Sequence, residues 1–202
     1  MSLVKNSPVS LVLYGTVLMA MLFCFGAPAV AFTAETVTGG AVAPLASRVV
    51  TLPPVNLVRD DGKSVAFATE IDDGRPVYLN FIFTSCQAIC PATSQTFSQL
   101  QRRLVKAHKP AHLVSVSLDP DYDTPARLRE YAAQFHAGKS WQHYTGTIPA
   151  SIAIQKAFGA WRGDKMNHEP VTFFRLRPGA AWERVDGFVT AEALYSRLPS
   201  LK

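Results

Sequence analysis

The fold is decided by the stretch Phe81-Ile82-Phe83-Thr84-Ser85-Cys86-Gln87-Ala88-Ile89-Cys90-Pro91. It completes a nearly continuous apolar and aromatic run that begins at Val77, which is typical of a strand buried on both faces. Pro91 suits the first turn of a helix, because its missing N–H is not needed there. The stretch therefore predicts a buried strand that leads through a cysteine-containing loop into a helix.

Strands and helices are predicted to alternate on both sides of this junction. The predicted strands are Val55–Val58 and Ser64–Phe67 as a hairpin, then Val77–Phe83, His112–Leu118, Trp141–Tyr144, Val171–Leu176 and Trp182–Val185. The predicted helices are Pro91–Ala107, Pro125–His136 with Thr124 as its N-cap, Pro149–Phe158 and Ala191–Leu198. This order predicts an α/β fold of the thioredoxin-like type, in which helices flank a central mixed sheet that carries an N-terminal β-hairpin.

The N-terminus has the features of an export segment. Residues 9–33 contain no charged side chain, and 25 residues are enough to cross a bilayer core of about 30 Å. Small residues follow the spacing that a signal peptidase reads, at Ala27, Ala29 and Ala31. We therefore expect residues 1–34 to be a signal peptide or a transmembrane anchor, with the anchor slightly favoured by the length of the run.

Two further expectations follow from this leader. Lys5 precedes the apolar run, which orients the remainder of the chain outward. The protein is then either anchored in the inner membrane and facing the periplasm, or periplasmic after cleavage. Residues 35–50 are rich in Thr, Ala and Gly and predict a linker, and residues 51–202 form the predicted thioredoxin-like domain.

Composition argues against one class of partner. The 202-residue chain has a formal net charge of +5, but its basic residues are scattered and do not form a stripe interleaved with aromatic residues. We therefore expect no nucleic-acid partner.

The cysteines predict chemistry more strongly than they predict a structural bridge. Of the three, Cys24 lies in the apolar N-terminal run, which leaves Cys86 and Cys90 for the domain. A disulfide between them closes so small a loop that it adds little stability. A helix N-terminus favours a thiolate, which both metal ligation and thiol–disulfide exchange require. The spacing alone leaves these two functions open.

A metal site of this kind requires a third ligand. Two thiolates are too few for a closed zinc site, but together with one histidine they suit copper(I). His168 is the favoured histidine because it lies in a loop that faces the cysteine loop in a thioredoxin-like fold. The other four histidines are assigned structural or surface roles: His108 and His112 at the surface, His136 at a helix end and His143 on a strand.

Several segments together resemble the Sco/SenC family of copper-binding thioredoxin-fold proteins. These are the cysteine stretch quoted above, Ser115–Pro125 with its family pattern S-x-D-P-x-x-D-T-P, His168 followed by a strand and Pro178-Gly179, and Trp141 with Tyr144-Thr145-Gly146. The resemblance covers nearly all of residues 50–200.

The resemblance implies both a ligand set and a function. It implies that Cys86, Cys90 and His168 bind a copper ion, and that the protein is a metallochaperone for the binuclear copper site of cytochrome c oxidase. The implied partners are the copper-site subunit of that oxidase and a thioredoxin-like reductant or another copper chaperone, and the N-terminal segment adds the membrane. The alternative is a thiol–disulfide oxidoreductase that uses Cys86 and Cys90 as a redox disulfide, so whether the protein is an enzyme stays open. A thiol peroxidase is a weaker third reading.

Two positions near the histidine differ from the family pattern. Asn167 stands where the family has an aspartate, and Glu169 with Pro170 follows where a small hydroxyl residue is common. Elsewhere, Asp119 and Asp123 are predicted to be scaffold residues that accept backbone N–H hydrogen bonds, and not an acid–base pair.

Overall fold

The computed structural model describes residues 46–199. Within this range there are eight strands: β1 (Ala46–Arg48), β2 (Asn56–Arg59), β3 (Ser64–Ala66), β4 (Val77–Ile82), β5 (His112–Ser117), β6 (Trp141–Thr145), β7 (Val171–Arg175) and β8 (Trp182–Asp186). The helices are α1 (Phe67–Glu70), α2 (Ile89–Lys106), α3 (Pro125–Gln134), α4 (Ile148–Ala157) and α5 (Ala191–Tyr195), and Lys165–Asn167 form a 3-10 turn.

The strands form one mixed sheet in the order β1-β8-β7-β4-β5-β6-β2-β3. Strands β4, β5 and β6 are parallel, and the remaining neighbours pair antiparallel. The predicted N-terminal hairpin is β2–β3, which joins the sheet through β6. The predicted thioredoxin-like α/β fold is therefore confirmed.

Strand β4 is the centre of the core, because all six of its residues are buried. Val77, Leu79 and Phe81 pack on one face of the sheet in a cluster with residues of α4, whereas Tyr78 on the other face packs with residues of α2 and α5. The α2 contribution comes from Phe97, Leu100 and Leu104, at the spacing of one helical face. The prediction of a strand covered on both faces is confirmed.

Three short elements were not predicted from the sequence. Strand β1 lies inside the expected 35–50 linker, yet it pairs with β8 and forms an edge of the sheet. Helix α1 follows β3 directly and buries Phe67 against Tyr144, with the two rings 5.4 Å apart. The 3-10 turn is begun by Asp164, whose side chain accepts a hydrogen bond from the Met166 N–H at 2.8 Å. Each element is too short to produce a periodic pattern.

The strand directions bring three loops to one edge of the sheet. Because β4 and β5 are parallel neighbours, the loops that leave their carboxyl ends, 83–88 and 118–124, lie side by side. Strand β7 is antiparallel to β4, with Thr172 opposite Asn80, so the segment that enters β7 arrives at the same edge. That segment contains His168, which places it beside the cysteine loop.

The predicted leader, residues 1–34, lies outside the described residues. Among the helices of residues 46–199, none combines the length and apolar content of a membrane span.

We expect Phe158→Ala to lower the free energy of unfolding by about 3 to 5 kcal/mol. The Phe158 ring is buried against Phe81, Phe173 and Trp182 at centroid distances of 6.1, 4.7 and 4.9 Å, so truncation leaves a cavity on this face of the sheet. Phe188→Ala is the matched control because Phe188 is 67% exposed, and it should change stability by less than about 0.5 kcal/mol. Equal losses in urea unfolding of the two variants would contradict this packing.

Candidate metal centre

The two cysteines lie at the junction of β4 and α2. Cys86 is in the connecting loop, where its N–H donates to the Phe83 carbonyl at 3.1 Å, and Cys90 is in the first turn of α2. The Cys90 N–H donates to the Cys86 sulfur at 3.4 Å. Both thiols are free and buried. The predicted strand–loop–helix junction is therefore present, and it directs both sulfurs to the same place.

His168 approaches these sulfurs from the segment that precedes β7. Its Nδ1 lies 2.7 Å from the Lys165 carbonyl oxygen. A carbonyl oxygen only accepts, so Nδ1 carries the proton and donates it there. In the neutral ring, Nε2 then presents a lone pair, and this atom lies 3.4 Å from the Cys90 sulfur and 4.0 Å from the Cys86 sulfur. The ring is also held by an edge contact with Phe83, at 5.1 Å between centroids.

The structure brings together all three residues that the resemblance implied as ligands. One donor atom from each of Cys86, Cys90 and His168 lies within 4.8 Å of the other two. No other group of three or more His, Cys, Asp and Glu side chains in the described part of the chain has this proximity.

The donor set fits a soft ion of low coordination number. Bonds of about 2.0 to 2.3 Å at trigonal angles separate a sulfur and a nitrogen ligand by about 3.8 Å. The observed sulfur–nitrogen distances of 3.4 and 4.0 Å lie on either side of that value. Two thiolates and one imidazole are the ligand types that select copper(I) over hard cations.

The local environment makes the two thiols unequal. Burial opposes ionisation of Cys86, but N–H groups of Cys90, Ala88 and Ile89 outweigh it, so the pKa of Cys86 is lowered. Burial dominates at Cys90 and raises the pKa of that thiol well above its usual range. Burial also lowers the pKa of His168, which keeps the imidazole neutral. These shifts favour the thiolate at Cys86 over the thiolate at Cys90.

A buried carboxylate, Asp123, fixes the start of the cysteine loop. It accepts hydrogen bonds from the Thr84 N–H at 3.1 Å, the Thr84 hydroxyl at 2.6 Å and the Ser117 hydroxyl at 2.6 Å. Burial raises the pKa of Asp123, although these hydrogen bonds act against the rise. The carboxylate joins the carboxyl ends of β4 and β5. The predicted scaffold role of Asp123 is confirmed.

Asp119 behaves differently from the prediction. Its carboxylate forms an ion pair with Lys165 and does not accept backbone N–H groups. Lys165 was not predicted as a site residue, although its carbonyl orients His168 and its ammonium group reaches Asp119. No local pattern could have revealed this pair, because the two residues are 46 positions apart.

The remaining histidines have structural positions in the described chain. His143 is buried between the rings of Trp141 and Tyr131. The surface assignment of His112 was wrong: the side chain is 1% exposed, and its Nε2 lies 2.7 Å from the Gln142 amide oxygen. His108 and His136 have φ values of 52° and 57° just after α2 and α3. None of the four belongs to the Cys–His group.

The two departures from the family pattern also have defined positions. Asn167 is exposed at the end of the 3-10 turn. The Glu169 carboxylate is 61% exposed and accepts hydrogen bonds from Arg162 at 3.0 and 3.2 Å. Its charge is therefore paired with a neighbouring guanidinium group, and Glu169 is not part of the Cys–His group.

A thioredoxin-like domain that joins two cysteines and one histidine beside its central strand defines a class of protein that binds a soft metal or exchanges thiols. The family model described as SCO1/SenC matches residues 47–177 of the chain. The chain belongs to the SCO1/SenC family, and the resemblance noted in the sequence is confirmed.

Individual relatives agree with this assignment. The SCO1 protein homolog of Bacillus subtilis is 32% identical over 100 residues, which are 49% of this chain and 51% of the relative. The chain spans about half the length of the first curated relatives it matches. BsSco, a member of the Sco family of cytochrome c oxidase assembly proteins in which a disulfide switch was identified, is 25% identical. The match to its structure has a TM-score of 0.62 and covers 73% of this chain and 91% of the BsSco chain.

Bradyrhizobium japonicum ScoI, whose structure has copper bound, shares the fold with a TM-score of 0.61 at 20% identity. The match covers 73% of this chain and 97% of that structure.

We expect Cys86 to be alkylated by iodoacetamide in the folded, metal-free protein, with a midpoint in the pH–rate profile below the usual thiol value of about 8.5. Its lowered pKa gives more thiolate at neutral pH, whereas Cys90 should react at least about tenfold more slowly because burial keeps it protonated. Fragment-ion mass spectrometry of the tryptic peptide that contains both cysteines assigns the label to each residue and so measures both rates. Denatured protein is the control, in which the two rates should converge, and faster modification of Cys90 in the folded protein would overturn the assignment.

Proposed function

We propose that this protein is a copper(I)-binding metallochaperone that assists maturation of the binuclear copper site of cytochrome c oxidase. The convergence of the Cys86 and Cys90 sulfurs with the His168 Nε2 lone pair carries the proposal. Family membership supports it, and so does the description of BsSco as a member of the cytochrome c oxidase assembly proteins. The copper-site subunit of the oxidase is the proposed recipient.

Copper(I) is the cargo in this scheme, and each of the three residues has a distinct part in holding it. Cys86 supplies the first thiolate, since loop N–H groups favour its charged form. Cys90 binds next and gives up its proton, because burial keeps the free thiol protonated. His168 completes the set with a nitrogen that needs no proton loss, since its only proton is on Nδ1 and points at the Lys165 carbonyl.

The proton released by Cys90 gives the site a pH dependence with a defined sign. Metal and proton compete for this sulfur at any pH below its raised pKa, so copper affinity rises with pH. One displaced proton corresponds to about a tenfold rise in apparent affinity for each pH unit.

The three ligands also differ in how they can be released. Both cysteines belong to the single segment fixed by α2 and by Asp123, whereas His168 comes from a separate loop and is only half-buried. We propose that His168 leaves first during transfer, which opens a position on the ion for a ligand of the recipient.

Copper(I) titration of residues 35–202 tests the proposal. We expect one ion per chain in the wild type, essentially no retention in Cys86→Ala, and at least about a tenfold loss of affinity in His168→Ala against a competing chelator. His143→Ala has no ligand role and serves as a histidine control: it should retain one ion per chain in whatever fraction stays folded by circular dichroism. The proposal would be contradicted if the wild-type protein bound no copper(I), or if Cys86→Ala bound copper(I) as the wild type does.

A second function, thiol–disulfide exchange with a partner, is favoured by the unequal thiols. Cys86 would attack the partner's disulfide and form a mixed disulfide, and Cys90 would then displace the partner's reduced thiol and leave a Cys86–Cys90 disulfide. A thioredoxin-like reductant that restores the two thiols is then required. His168→Ala separates the two functions, because it should remove copper retention and leave the reduction of a disulfide substrate largely intact.

We also propose that residues 1–34 export the domain, either as a cleaved signal or as an inner-membrane anchor. The uncharged run at 9–33 supports this. Expressed in a bacterial host with an outer membrane, the full chain should react with a membrane-impermeant maleimide at Cys86 in intact spheroplasts. Deletion of residues 2–34 should limit labelling to lysed cells, and equal labelling of the two forms in spheroplasts would contradict export. Intact mass distinguishes cleavage from anchoring.

A further inference from the structure

We infer that Lys165 is a positioning residue for His168, and that its ion pair with Asp119 holds the histidine loop closed over the two cysteines. This inference deepens the proposed copper site, and it also makes a prediction about the metal-free protein. We define the histidine loop as residues 163–169.

Lys165 is connected to the site through both its backbone and its side chain. Its carbonyl accepts the Nδ1 proton of His168 at 2.7 Å and the His168 N–H at 3.2 Å. Its ammonium group pairs with the Asp119 carboxylate, which follows β5 at the edge where the cysteine loop also lies. The backbone atom that orients the ligand is therefore tied to the sheet by the side chain of the same residue.

Aromatic contacts connect the same residues a second time. The Lys165 ammonium lies 5.6 Å from the centroid of the Phe83 ring, and the His168 ring packs edge-on against that ring at 5.1 Å. Phe83 itself is buried in one cluster with Cys86 and Cys90. A shift of Lys165 away from Phe83 would therefore move His168 relative to the sulfurs.

The histidine loop has little apolar packing to hold it. No residue from 163 to 169 belongs to the buried hydrophobic clusters of the described chain, and Met166 is 70% exposed. Its internal bonds, such as the Asn167 N–H to the Asp164 carbonyl at 3.0 Å, shape the turn without attaching it to the sheet. The Arg162–Glu169 ion pair joins the loop to the residue immediately before it and does not attach it to the sheet. Among the ion pairs of residues 46–199, Lys165–Asp119 is thus the one that joins the loop to the edge of the sheet, just after β5.

Burial strengthens this pair relative to an ordinary surface pair. The Asp119 side chain is 14% exposed and that of Lys165 is 37% exposed. Asp119 is itself fixed, because its N–H donates to the Ser117 hydroxyl at 2.9 Å. A partner that is already ordered loses little conformational freedom when the pair forms, so the pair can hold the loop.

The first test uses the metal-free protein and native-state hydrogen exchange. In Lys165→Met, the amides of Asn167 and His168, which donate within the turn, should exchange at least about fivefold faster than in the wild type. Lys156→Met removes one positive charge from an exposed position on α4 and should leave these rates unchanged. Unchanged exchange in Lys165→Met would overturn the inference, whether or not the protein binds copper.

The second test is a double-mutant cycle between Lys165 and the metal ligand His168. Lys165→Met should weaken copper(I) binding by about tenfold in competition with a chelator, as expected for a residue that orients a metal ligand. The same change made in His168→Ala should have almost no further effect, because no imidazole remains to be positioned. An equal loss in both backgrounds indicates a general structural effect and would overturn the inference.

Further variants of Lys165 and Asp119 test the ion pair itself. Lys165→Arg keeps the charge, and its copper(I) affinity should stay within about threefold of the wild type. Asp119→Asn should reproduce Lys165→Met, and the double variant should lose no more than either single variant. Additive losses in the double variant contradict a shared role. If wild-type protein binds no copper, the copper proposal fails, and hydrogen exchange alone decides the role of Lys165.

Discussion

The pairing of β4 with a parallel neighbour on one side and an antiparallel neighbour on the other is the constraint on which the site depends. Parallel pairing with β5 places the cysteine loop beside the loop that carries Asp119 and Asp123. Antiparallel pairing with β7 brings the chain back to the same edge, so that His168 enters at the carboxyl end of β4. Each pairing is fixed in register, because a slip of one residue in a buried strand would reverse the faces of all its side chains.

Polar groups at the carboxyl ends of β4 and β5 hold the cysteine loop in place. Asp123 binds Thr84 and Ser117, and so joins the carboxyl ends of two strands within a buried, fully occupied set of hydrogen bonds. Loop N–H groups stabilise charge at Cys86, while burial keeps the Cys90 thiol protonated. The site therefore combines a rigid cysteine segment with a histidine that is held by fewer and more exposed contacts.

The sequence predicted those features that arise from local patterns. The buried run at 77–83, the caps and prolines that begin α3, and the junction before α2 were all recognisable, and they defined the fold. The cysteine pair could be recognised in the sequence because its two members are only four positions apart. His168 was reached mainly through the family resemblance, since its proximity to the cysteines depends on how β7 pairs with β4.

Other features escaped prediction for physical reasons. Lys165–Asp119 joins positions that only tertiary structure brings together, and β1 is an edge strand of three residues without a pattern of its own. His112 follows a Lys-Pro helix end and resembled a surface residue, yet its strand lies inside the sheet, where Gln142 satisfies one of its ring nitrogens.

The separation of the ligands along the chain has a consequence before the domain has folded. Cys86 and Cys90 are four positions apart and can meet on one soft ion in an unstructured polypeptide, whereas His168 is 78 positions from Cys90 and joins them only when the sheet is complete. If copper(I) is the cargo, as proposed, two sulfurs of the unfolded chain compete for it, so copper would stabilise the fold by less than its full binding energy. In the proposed copper scheme, a newly made chain would already hold the ion through two sulfurs, and folding would add the single nitrogen that completes the ligand set.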